Sequence, residues 1–238
     1  MVSGIQQPAF VLRKRPFQES SEIVDLFTPE RGKVSCVVKG AKRKRVGGSL
    51  AQRLQLFRPI VVRFQGRGDL KTLVDAEDLR EPYLFHHDCF YAAYYANELL
   101  LRLLQQEESY TELFADYASL LDTLSLGGSP REPLRRFEWS ILQTLGGDPD
   151  LTVDLNGKPI AADKWYHFEP NAGWIEVAEH AAVKCTPGLW VMALAANDGE
   201  VWASRFAREL CHTLLLPYIG EAPFKSRLLW QQQAQQQQ

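Results

Sequence analysis

Cysteine is scarce in this chain: there are four in 238 residues, and no two form a C-x-x-C pair. Cys36, Cys89, Cys185 and Cys211 lie too far apart for a disulfide framework or a zinc ribbon, so reduced, buried thiols are expected. Long apolar runs are also missing. The longest, Gly188 to Ala196, falls well short of the ~20 residues that cross a bilayer. The first residues have neither the charged start nor the apolar centre of a signal peptide. A soluble cytoplasmic protein with no membrane partner is expected.

The motifs of common catalysts are absent too. No G-x-x-x-x-G-K-[ST] loop cradles a phosphate, and neither G-x-G-x-x-G nor G-x-S-x-G occurs. His86, His87, Asp88 and Cys89 have the chemistry of metal ligands. Consecutive helical residues point in different directions, so at most His86 and Cys89 share a face. Two ligands without a second pair do not make a site. No catalytic residue, metal or other cofactor is expected, and the chain does not read as an enzyme.

What the sequence does have is a charge asymmetry that the net charge of −2 conceals. Residues 1–75 hold 15 Lys and Arg against 6 Asp and Glu, a balance of +9, and the remainder holds 12 against 23, a balance of −11. The basic front suits a polyanion, and the acidic back implies a different partner.

The front reads as five short strands: Ala9 to Arg13, Glu22 to Phe27, Lys33 to Lys39, Pro59 to Gln65 and Leu70 to Ala76. Turns at Thr28-Pro29, Arg31-Gly32 and Gly66-Arg67-Gly68-Asp69 separate them. A small barrel is predicted over residues 1–80, and the OB type fits the strand count as an SH3-like barrel also does. From Glu81-Pro82 onward the pattern is helical. Capping boxes at Ser109 with Glu112 and Ser129 with Glu132 open two helices, which Gly127-Gly128 and Gly146-Gly147 stop. A helical region is expected over 81–230, interrupted by an irregular insertion at 147–180 with short strands at Tyr166 to Phe168 and Trp174 to Val177. Leu189 to Ala195 and Val201 to Leu216 are the last helices, the second ended by Pro217. The glutamine-rich stretch 231–238 is expected to be disordered.

Three segments carry candidate chemistry. The basic run Lys39, Lys42, Arg43, Lys44 and Arg45 lies between two predicted strands and can follow a phosphate backbone. As a bare pattern it is also a solvated loop or a nuclear localisation signal. The hairpin Phe64 to Leu73 projects Arg67 and Lys71. Arg135 and Arg136 lie on an amphipathic helix, where they either face solvent or meet the carboxylates of an acidic peptide. Phe10, Phe17, Phe27, Phe57 and Phe64 can stack on bases or fill a barrel core, and the core is the stronger reading.

Taken in order, these segments resemble the bacterial RecO family from near the start to about Trp230. The resemblance rests on Ala9-Phe10-Val11-Leu12, Glu19 to Phe27 with Gly32, Lys39-Gly40-Ala41, and Gly66 to Leu73 with Ala76-Glu77. It continues through Tyr95 to Leu100, Leu134-Arg135-Arg136-Phe137-Glu138, Leu216 to Gly220 and Lys225-Ser226-Arg227. It implies an N-terminal OB-fold followed by a helical domain. It also implies binding of single- and double-stranded DNA, annealing of complementary strands, partnership with RecR, and docking on the acidic tail of single-strand-binding protein. RecA would then load, and the setting would be the nucleoid. The DNA surface would carry Lys39, Lys42, Arg43, Lys44, Arg45, Arg67 and Lys71, and the tail would meet Arg135 and Arg136. Some family members have a four-cysteine zinc motif after the third helix. Residues 146–174 contain no cysteine, so the resemblance is to the metal-free branch. The alternative class is an OB-fold RNA-binding or translation-associated adaptor.

Overall fold

The computed structural model describes residues 5–39, 50–220 and 222–236. By packing, these form two compact units. One comprises residues 1–130 with 222–238, and the other residues 131–221. The packing division therefore lies some fifty residues beyond the expected 80/81 boundary.

In the first unit, five strands close into a barrel: β1 (Ile5–Phe17), β2 (Ser21–Thr28), β3 (Gly32–Val38), β4 (Ile60–Gln65) and β5 (Leu70–Asp78). Their order around the barrel is β1-β2-β3-β5-β4, antiparallel except where β3 runs beside β5. This is the OB topology. β1 is longer than its apolar stretch suggests because it serves two neighbours. Ile5 to Ala9 pair with β4, and Phe10 to Phe17 pair with β2. A register shift between Val11 and Arg13 lets one strand turn from one neighbour to the other.

Val24, Leu26, Cys36, Ile60, Val62 and Phe64 fill the barrel, and the short α1 (Leu50–Arg53) adds Leu50 to the same cluster. β2 is buried on both faces, which explains its nearly unbroken apolar run. Its outward Phe27, with Phe10 opposite on β1, packs against Phe114 and Tyr117 at centroid distances of 5.0–6.0 Å. Those two rings belong to α3 (Thr111–Ser125), which follows α2 (His87–Leu103). Phe10, Phe27, Phe57 and Phe64 are thus all buried, and only Phe17 is half-exposed.

The expected capping box of Ser109 and Glu112 does not form. The α2–α3 connection is committed elsewhere, to the β2–β3 turn. Lys33 N donates to Gln105 O (3.1 Å), Glu107 N to Arg31 O (3.1 Å) and Tyr110 N to Pro29 O (2.7 Å). The helix takes Tyr110 as its N-cap, and Ser109 Oγ lies 3.3 Å from both Pro29 O and Thr111 Oγ1. Gly32 makes this approach possible. Its φ is +55°, and a Cβ would meet Gln105 O at 2.6 Å.

The second unit opens with α4 (Arg131–Leu145) and continues into a three-stranded sheet ordered β7-β6-β8. Its strands are β6 (Trp165–Glu169), β7 (Gly173–Val177) and β8 (Thr186–Pro187). α5 (Gly188–Ala195) follows. The helix expected over Val201 to Leu216 is two helices, α6 (Gly199–Trp202) and α7 (Arg205–Ile219). Each has its own cap. Asp198 accepts from Glu200 N (2.8 Å) and Val201 N (3.1 Å), and Ser204 Oγ accepts from Ala207 N at 3.2 Å. Pro217 lies inside α7 rather than ending it. Pro217 has no N–H to give the carbonyl one turn back, and Gly220, at φ +68°, terminates the helix.

The chain then returns to the first unit as α8 (Lys225–Gln236), packed on α2. Gln231 to Gln236, expected to be disordered, continue this helix; Gln237 and Gln238 lie outside the described residues. Glutamine is a fair helix former that lacks only a nucleus, and the turn before it supplies one. The Glu98 carboxylate accepts from Lys225 N (2.9 Å) and Ser226 N (2.8 Å), while Arg102 donates to Ala222 O (2.7 Å) and Pro223 O (2.9 Å).

Candidate nucleic-acid interface and peptide cavity

Strand register locates the basic surface of the barrel. Arg13 pairs with Asp25, Asp25 with Ser35, and Ser35 with Leu70. The next rows run Lys14, Val24, Cys36, Lys71 and then Arg15, Ile23, Val37, Thr72. These rows bring the end of β1 level with the start of β5, three strand spacings or about 14 Å away. The β1–β2 hairpin and the β4–β5 turn therefore flank the β2–β3 face, the arrangement by which OB barrels take single strands.

Arg13, Lys14 and Arg15 are all exposed on that hairpin. Arg13 is held by Asp25 at 2.8 Å, and among the described residues neither Lys14 nor Arg15 has an acidic partner. This run was not singled out from the sequence, although Arg-Lys-Arg beside a proline was its signal. Lys39 is exposed where β3 ends, and Arg67 is exposed in the β4–β5 turn, where Gly66 adopts φ +122°. Lys42, Arg43, Lys44 and Arg45 lie outside the described residues.

Lys71 departs from its expected role. It is only 7% exposed, and its ammonium lies 2.7 Å from Glu107 Oε1. Arg67 lies in the β4–β5 turn, whereas Lys71 stands in β5 with its side chain on the α2–α3 connection. It pins an acidic side chain there.

The two α4 arginines also separate. Arg135 Nη1 lies 2.5 Å from Glu138 Oε2, and the two side chains are 13% and 1% exposed. Arg135 thus neutralises a buried carboxylate. Arg136 lines a cavity of about 510 Å³ with Trp139, Leu194, Asn197 and Trp202. Its Nε donates to Glu132 Oε1 at 2.9 Å, its Nη2 donates to Asn197 O at 3.1 Å, and the guanidinium lies 5.8 Å from the Trp202 ring centroid. Trp202 is buried, and among the described residues its Nε1 has no hydrogen-bond partner. An arginine and apolar walls suit a peptide ending in a carboxylate. Asp148 and Asp150 also line this cavity.

The remaining chemistry is quiet. Cys36 is pushed up to about 12 by burial, and burial also raises Cys89 and Cys211. The Cys89 thiol rests 3.5 Å from Gly128 O. Among the described residues no three His, Cys, Asp or Glu side chains gather to hold a metal, and no helix is long and apolar enough to cross a membrane.

Comparison with known proteins bears on the whole chain. The family described as "Recombination protein O N terminal" matches residues 1–81, and "Recombination protein O C terminal" matches residues 88–187. The DNA repair protein RecO of Pseudomonas aeruginosa is 37% identical over 230 residues, 94% of each chain. The chain belongs to the RecO family. RecO of Klebsiella pneumoniae is 38% identical over 229 residues, covering 95% of this chain and 92% of that one. RecO of Yersinia pestis is 36% identical over 231 residues, 95% and 94%. The N-terminal RecO match spans the whole barrel. The C-terminal match begins in α2, in the barrel-bearing unit, and runs into the second unit as far as β8.

Proposed function

We propose that this protein is a DNA-repair mediator with no covalent chemistry of its own. Its barrel holds single- and double-stranded DNA by the phosphate backbone and brings complementary strands together. The Arg136 cavity seats the acidic C-terminal tail of single-strand-binding protein, so the barrel is delivered to strands that protein already covers. RecR then joins, and RecA loads in the cytoplasm at the nucleoid. Tethering two weak contacts raises avidity without strengthening either.

The observation that carries this reading is the OB barrel with basic side chains on both hairpins that flank its β2–β3 face. Annealing of two complementary strands coated with single-strand-binding protein tests it. Wild type is expected to accelerate annealing, and a variant with Lys14, Arg15, Lys39 and Arg67 all changed to Ala is expected to lose the acceleration. No acceleration by wild type, with tighter binding to structured RNA than to single-stranded DNA, would replace the mediator by an RNA-binding adaptor.

A further inference from the structure

Arg13, Arg15 and Phe17 are alternate residues of β1, so they share one face of the β1–β2 hairpin. Opposite them on β2 stand Asp25, Ile23 and Ser21. The barrel core takes Val24 and Leu26, the other parity of β2, so this row lies on the outer surface. Asp25 fixes the row at its base. It is 2% exposed, its Oδ2 accepts from Arg13 Nε at 2.8 Å, and its Oδ1 accepts from Ser35 Oγ at 2.6 Å. Arg15 is exposed one step nearer the tip. Lys39 is exposed just past Val38, which pairs with Glu22, so a further cation stands level with the tip.

Phe17 ends the row. The other phenylalanines of the basic front, Phe10, Phe27, Phe57 and Phe64, are each 4% exposed or less and belong to the core. Phe17 alone among them is partly exposed, and Ser21, directly opposite, is too small to cover its ring. The turn beyond, Gln18-Glu19-Ser20, adds a carboxylate and no cation. The tip therefore offers a ring to a base and nothing to a phosphate, while the strand behind it offers arginines.

We propose that Phe17 is a base-stacking platform that gives the barrel a preference for single strands. Arg13 and Arg15 hold the phosphate backbone along the hairpin, and a base of the same strand lies on the ring. In a duplex the bases are already stacked on one another, so only the cations engage it. This inference rests on the reading of the barrel as a DNA surface, and it assigns the residue that separates the two forms of DNA.

The test uses the full-length protein with an oligo-dT strand and a duplex of equal length, read by fluorescence anisotropy. Phe17→Ala is expected to weaken single-strand binding about tenfold, the loss of one stacked base, and to leave duplex binding and the salt slope unchanged. Phe17→Leu keeps an apolar side chain without an aromatic face and should bind as weakly as Phe17→Ala. Phe17→Trp should restore binding. A 2-aminopurine placed in the strand should report stacking by quenched fluorescence with wild type and Phe17→Trp, and lose the quenching with Phe17→Leu. The proposal is overturned if Phe17→Ala binds single strands as wild type does, if it loses single-strand and duplex binding equally, or if Phe17→Leu matches wild type. Each of those outcomes leaves wild-type DNA binding in place, whereas wild type failing to bind DNA at all would remove the DNA reading itself.

Discussion

Lys71 Nζ lies 2.7 Å from Glu107 Oε1, joining the start of β5 to the α2–α3 connection. Arg31, in the β2–β3 turn, contacts the other carboxylate oxygen. One carboxylate thus fastens two barrel segments to the helices. Removing Lys71 leaves a carboxylate without its main partner. Lys71→Ala is expected to destabilise the protein by about 1–3 kcal/mol in urea unfolding and to leave the salt dependence of DNA binding unchanged. Arg67→Ala should do the reverse. A flattened salt slope in Lys71→Ala would return that residue to the DNA surface.

The same contact predicts a pH effect. The Lys71 ammonium, with help from Arg31, holds the Glu107 carboxyl below its usual value. A carboxyl depressed in the folded state stabilises above its unfolded value, about 4.3, and that contribution fades as pH falls through the folded value. Wild type should therefore lose its stability advantage over Glu107→Gln below about pH 4–5 and keep it undiminished above. A gap between the two proteins that is constant across acid pH would contradict the assignment.

The exposed pair on the β1–β2 hairpin should appear in the counterion count. Each phosphate contact on a single strand contributes about 0.7 to the log–log salt slope. Lys14→Ala/Arg15→Ala should therefore make the slope shallower by roughly 1–1.5, with little change in melting temperature. An unchanged slope would exclude this hairpin from the path of the strand.

Arg135 and Arg136 should separate experimentally. Arg136→Ala is expected to weaken binding of an acidic tail peptide while sparing naked DNA and stability. Arg135→Ala strands the buried Glu138 and should cost about 3 kcal/mol or more in stability. Calorimetry with the peptide, alongside denaturant melts, gives both readings. Equal peptide losses at equal stability would mean that both side chains face the cavity.

Much of the barrel was legible because alternation and turn residues are local signals. Gly66 to Asp69 make a hairpin whatever surrounds them. The helix ends failed where a remote partner intervened. Ser109 has a capping sequence, but the backbone N–H of Tyr110 bonds Pro29, some eighty positions away, and Tyr110 becomes the N-cap instead. Gln231 to Gln236 look disordered until Glu98 and Arg102 fix the turn before them. The partners of the candidate site cations are remote in the same way. Lys71 and Arg135 are indistinguishable from their neighbours Arg67 and Arg136 until Glu107 and Glu138 are found beneath them. Composition signals a cation but not whether a buried carboxylate already holds it.

Tyr95, Glu98 and Arg102 of α2 receive a segment that the ribosome makes only after the second unit. The ring of Phe224 packs on Tyr95 at 4.8 Å and under the Arg102 guanidinium at 3.8 Å. Residues 131–221 are synthesised between α3 and this final helix. At about 5–20 residues per second, the barrel unit waits on the order of 5–20 s for its closing piece. For that interval the α2 face that α8 will cover is bare on the nascent chain, and a chain stopped before α8 keeps its closed barrel but leaves that face open.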